Sequence, residues 1–227
     1  MLKEKFYVFI LMLLFPAIGL AASCTMSNKD GFHLYGNDLC LSTLNYIDSI
    51  ASQKQLNINS FRILDNKTVI FAANSKAGSF LMLATPNRIV KILAEMPNKD
   101  VKKNIESIRQ VDVFLIKKDI YFLSSAWATS GAIHKITWNK IIKAVNNIPV
   151  TIDDIKFITN GNSFYIIQSG KYQGYIIANK HKYRAGGGSY DIYVLVSPLG
   201  KEIKEIGLEK QSVNNFLSLV GSGETLQ

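Results

Sequence analysis

The sequence predicts an all-β protein: three consecutive four-stranded antiparallel meanders in a propeller-like or open curved architecture, with one or two short helices. Three observations carry this expectation. Short apolar runs rich in Ile, Val, Phe and Tyr recur along residues 61–206. Polar turn residues punctuate them. The order of run, short turn, run, longer loop, run, short turn, run comes round three times, and such meanders are the units of propeller-like sheets.

The chain opens differently. Lys3 and Lys5 precede an almost unbroken apolar stretch, 6–20, which ends in the small residues Ala21, Ala22 and Ser23. That is the layout of a secretory signal peptide over 1–22, and the stretch is short of the roughly 20 residues of a membrane-spanning helix. Processing there leaves residues 23–227 as a single β-meander domain, long enough to bury one core. The expected location is outside the cytoplasm, most concretely the periplasm. Cys24 and Cys40 are the only cysteines. Paired, they close a loop of about 15 residues, which the chain-entropy model values at about 3 kcal/mol. Alternatively Cys24 carries a lipid that tethers the protein to a membrane, leaving Cys40 unpaired. Ala21 stands where a lipidation motif usually has leucine, and the even cysteine count favours the disulfide.

From residue 24 to 59 the pattern is mixed. Asp30-Gly31 and Gly36-Asn37-Asp38 are turn signals around a short strand at 32–35. Leu41, Leu44, Ile47 and Ile50 then recur at helical spacing. The first meander has strands at 61–64, 68–73, 80–85 and 89–93, with turns at 65–67 and 86–87 and a longer loop at 74–79. Asp100 as N-cap, followed by Val101, Ile105 and Ile108, predicts a short amphipathic helix over 100–109. The second meander has strands at 111–116, 120–125, 132–138 and 141–145, with a turn at 117–119. The third has strands at 155–159, 163–169, 191–197 and 202–206. Asn160-Gly161 is its hairpin signal, because both residues tolerate positive φ, and Pro198-Leu199-Gly200 suits a tight turn. Ile176 and Ile177 mark an extra strand inside its long loop. A fourth sheet drawn from the N-terminal segment and the tail 213–220 closes a propeller; without it the sheets stay open. Residues 221–227 look frayed.

Motifs for chemistry are few. No Gly-x-Ser-x-Gly or His-Glu-x-x-His occurs. His33, His134 and His181 are scattered, and no run of acidic residues has calcium-loop spacing. Asp153-Asp154 reads as a turn or capping pair. No cofactor, metal or nucleic acid is expected. The formal charge of +9, which falls by one when the signal peptide leaves, suggests an acidic protein partner, an anionic surface or nothing beyond solubility, and the acidic protein is the expectation taken forward.

Meander geometry proposes where that partner docks. The loop between the second and third strands of each unit leaves the same edge as the connection to the next sheet, and tight turns occupy the other edge. The long loops 74–79, 126–131 and 170–190 therefore share a rim, and loops on a rigid sheet are common recognition sites. Trp127 sits in a loop of small residues, where a large aromatic is a natural interface anchor. The third loop region carries Lys171 and Tyr172 and then Lys180, His181, Lys182, Tyr183 and Arg184, followed by three glycines, a basic aromatic face whose flap is expected over 179–189. The bland alternatives are a solvated charged loop and a tryptophan folded back over a sheet edge. The expected function is a non-enzymatic exported binding protein, most concretely a periplasmic inhibitor or immunity protein that occludes its partner. The alternatives are an envelope lipoprotein that scaffolds a larger complex and a hydrolase of an envelope polymer.

Overall fold

The computed structural model describes residues 56–65, 68–85 and 88–226. The expected signal peptide, Cys24, Cys40, the strand expected at 32–35 and the stretch 41–50 lie outside the described residues, as do positions 66–67 and 86–87 of the first meander's turns. Within the described chain there are twelve strands in three four-stranded antiparallel sheets. Sheet one runs β1 (Asn57–Asp65), β2 (Thr68–Ser75), β3 (Gly78–Thr85) and β4 (Arg88–Ala94). Sheet two runs β5 (Glu106–Phe114), β6 (Asp119–Ser125), β7 (Gly131–Ile136) and β8 (Ile155–Gly161). Sheet three runs β9 (Ser163–Ile166), β10 (Ile176–Tyr183), β11 (Ser189–Val196) and β12 (Glu202–Gly207). Two short helices complete it, α1 (Trp138–Val145) and α2 (Lys210–Leu219).

Strand alternation decides the layering, because successive side chains point to opposite faces. In β2, Ile70 and Ala72 face sheet two, whereas Val69, Phe71 and Ala73 face away from it. In β6, Ile120 and Phe122 face sheet one while Tyr121 and Leu123 face sheet three. A central sheet apolar on both faces is thus written as a continuous hydrophobic run, here Ile120-Tyr121-Phe122-Leu123. On the far side of sheet three, Ile177 and Leu195 pack against Val213, Phe216 and Leu217 of α2.

The first strands of the sheets are laced together by side chains that bond to neighbouring backbone. Asn59 donates to the Ile108 carbonyl at 2.9 Å, and Arg62 Nε meets Asp112 Oδ1 at 2.8 Å. Gln110 donates to the Phe164 carbonyl at 2.7 Å, and Gln168 donates to the Val113 carbonyl at 2.8 Å. Asp112 also accepts from Ile166 N at 3.2 Å, so one buried carboxylate touches all three sheets. β1, β5 and β9 therefore gather around a polar axis, and the sheets fan outward from it. Among the described residues no apolar layer joins sheet three back to sheet one, so the fan is open.

Five expectations need correction. The helix expected over 100–109 is a turn followed by β5. Ser107 has φ of 47° and the register slips between Glu106 and Gln110, so a bulge points both Ile105 and Ile108 into the core. Their three-residue spacing imitates a helix. The strand expected at 141–145 is α1, whose Ile141 and Ala144 face the core at helical spacing. The fourth strand of sheet two is instead β8, and the third sheet begins one strand later. Asn160-Gly161 accordingly makes no hairpin: Asn162 N donates to the Asn179 carbonyl at 2.7 Å, carrying the chain from sheet two into sheet three. The loop expected at 74–79 shrinks to the turn at Lys76 and Ala77. Finally, the tail supplies a helix rather than a strand, and its end is docked. Glu224 accepts from Gln168 N at 3.0 Å and from the Tyr165 hydroxyl, while Leu226 N donates to Asn214 Oδ1 at 2.6 Å.

Candidate functional site

The hairpin connections β2–β3, β6–β7 and β10–β11 leave the same end of their sheets as the inter-sheet crossings, as meander geometry requires. The β6–β7 loop closes on itself through Trp127 N donating to the Ser130 carbonyl at 2.8 Å. Trp127 is 41% exposed and sets its ring edge to face with Phe157 at 6.3 Å. Phe157 in turn meets His134 at 6.0 Å, and His134 stacks on Phe122 at 5.1 Å. A column of rings thus runs from the core to the rim and ends in tryptophan. Lys102, on the crossing from sheet one, holds its ammonium 5.9 Å from the Phe157 ring centre.

The β10–β11 tip lies against the same loop. The Tyr183 and Thr129 hydroxyls are 3.2 Å apart. Tyr183 is 70% exposed and its ring stands edge to face on His181 at 5.1 Å. His181 Nδ1 pairs with Asp191 Oδ1 at 2.8 Å across the strand pair. The turn is compact: Arg184 N donates to the Gly188 carbonyl at 3.0 Å, and Gly187 and Gly188 both take positive φ. The Arg184 guanidinium covers Tyr190 at 5.4 Å. Lys102, Arg109 and Arg184 are exposed and form no ion pair with described residues.

The expected flap is therefore mostly strand, and its residues divide. Trp127, Tyr183 and Arg184 are at the rim. Lys180 is only 3% exposed, its ammonium held by Thr159 Oγ1 at 2.6 Å, Asn160 Oδ1 at 3.0 Å and Glu202 Oε1 at 2.5 Å. It ties sheet three to β8 and has no charge to offer a partner. The bond from Lys180 holds the Glu202 carboxyl below its ordinary range. Lys182 is bound to Glu205 at 2.5 Å, a bond that raises its pKa. Lys171 and Tyr172 are at the other end of the molecule, because the eight residues of β10, about 26 Å of extended chain, separate them from Arg184. There Lys171 covers the Tyr172 ring at 5.4 Å, and Tyr172 packs on Phe216 of α2. Phe157, Lys102 and Arg109 were not singled out by sequence. Only the pairing of β7 with β8 and the bulge in β5 bring them to the rim.

One pair has the residue types of a nucleophile and its base. His134 Nε2 lies 3.0 Å from Ser124 Oγ. Both residues are fully buried, and among the described residues His134 Nδ1 has no hydrogen-bond partner to hold the ring as a catalytic base needs. Burial pushes the His134 pKa down to about 4, outweighing the opposing effect of the Asn104 carbonyl. The imidazole stays neutral near pH 7.

Among the described residues no group of three or more His, Cys, Asp or Glu is placed to hold a metal ion. Among them, too, no helix is long and apolar enough to cross a membrane. No protein-family model matches the chain, and no curated protein is significantly similar to it.

Proposed function

We propose that this is an exported binding protein without catalytic activity, an inhibitor or immunity protein that occludes an acidic partner through the rim of Trp127, Tyr183 and Arg184. The observation that carries this reading is the hydrogen bond between Thr129 and Tyr183. It makes one surface of two hairpin tips from different sheets. An exposed tryptophan and tyrosine there supply contact area at little entropic cost. Lys102, Arg109 and Arg184 add positive charge that steers an acidic surface and raises the rate of encounter. Export rests on the residues before Cys24, and the acidic partner on the net charge and on rim cations that meet no described carboxylate.

The test begins with affinity capture from the native host, using the mature chain as bait. The captured partner is then titrated against Trp127→Ala and against the double variant Lys102→Glu with Arg184→Glu. Loss of at least tenfold in affinity for each is expected, with thermal midpoints close to the parent's, since all three residues are exposed. The double variant acts mainly on the association rate, and its effect shrinks as salt rises. Affinity indifferent to all three changes removes the rim from consideration.

A further inference from the structure

The outer face of sheet one is apolar from strand to strand. Phe61 and Ile63 of β1, Val69, Phe71 and Ala73 of β2, and Met82 and Ala84 of β3 form one cluster on the side turned away from sheet two. Each is buried, yet the only other described side chains packed on the cluster are Leu56, Ile58, Phe80 and Ile89, from sheet one itself or the residue leading into it. Such a continuous apolar face is seldom left to water in a monomer. The opposite end of the stack is capped by α2, a C-terminal helix presenting Val213, Phe216 and Leu217.

We propose that the stretch Leu41, Leu44, Ile47 and Ile50 of this same chain is the occupant, docked on the outer face of sheet one. Three features of the chain favour it over a second molecule. The four side chains recur at every third position, with Thr43, Asn45, Asp48 and Ser49 between them, which matches a one-sided apolar surface. The chain enters β1 along this face, with Leu56 and Ile58 already packed against it. The reach is sufficient: the seven residues from Ile50 to Asn57 span up to about 23 Å extended, and four strands are only about 14 Å wide. The segment after the cysteines is then part of the domain, not a linker between a membrane tether and a free-standing body.

The mature full-length chain tests this in two ways. In the double variant Leu44→Asp with Ile47→Asp, amides of Thr68–Ser75 and Gly78–Thr85 are expected to exchange hydrogen at least tenfold faster, with β10 and β11 unchanged. Unaltered exchange in β2 and β3 overturns the proposal. A benzophenone side chain in place of Ile47 tests it without disrupting the fold. Light is expected to join it to peptides within 61–84 of the same chain, Met82 above all. Cross-links to a second copy, or to sheets two or three, overturn it.

Discussion

At the scale of single residues, burial decides which charged groups are available for function. Lys180 and Arg184 look alike in a string of basic residues, yet one is inside and the other outside. The difference arises because β10 alternates: Ala178 and Lys180 face sheet two, where Thr159 and Asn160 wait for a donor. His134 shows the same logic in a titratable group. Its folded pKa of about 4 lies below the ordinary 6.5, so the unfolded chain takes up a proton first as pH falls. Stability from this group is complete above pH 6.5 and drains away between 6.5 and 4. A shift of this size corresponds to about 3 kcal/mol. Denaturant midpoints measured across that window are expected to fall less steeply for His134→Leu than for the parent. Equal slopes would mean that the ring titrates normally.

At the scale of elements, two kinds of glycine separate. Gly200 has φ of 92°, and a Cβ there would sit 2.3 Å from the Ile158 carbonyl oxygen, so the β11–β12 turn is pressed against sheet two. Gly187 has a similar φ of 95° but open space around it. Gly187→Ala carries only the left-handed backbone cost of about 1 kcal/mol, whereas Gly200→Ala must also displace backbone. We expect Gly200→Ala to lose about 3 kcal/mol or more in equilibrium unfolding. The same element-scale contacts explain where sequence patterning succeeded. Strand existence was legible almost throughout, including the turns at 117–119 and 198–200, because period-two runs bounded by turn residues are local information. The misplacements at 100–109 and 141–145 have one cause. A bulged strand and a short helix both put apolar residues three apart, and only packing tells them apart.

At the scale of the whole molecule, the three sheets behave as one body because their first strands exchange hydrogen bonds. Asp112 is the shared member, bonded to Arg62 of sheet one and Ile166 N of sheet three. Removing Asp112 takes the acceptor away from the buried Ile166 N–H and one bond away from Arg62, and a buried donor left unsatisfied typically costs about 1–3 kcal/mol. Asp112→Ala should therefore lower the unfolding free energy by about that amount and speed hydrogen exchange in both β1 and β9. Faster exchange in one sheet alone would show that the axis does not couple them. By itself the sequence determined the strands, the antiparallel meander order and the edge from which the hairpin loops leave, because alternation and turn chemistry act over a few residues. Tertiary structure alone decided which strand begins each sheet, that Lys180 is sealed in while Lys102 and Arg109 stand at the rim, and that Tyr183 meets Thr129. Each of these depends on two segments far apart in the chain meeting in space, and that meeting is settled by the summed packing of whole sheets.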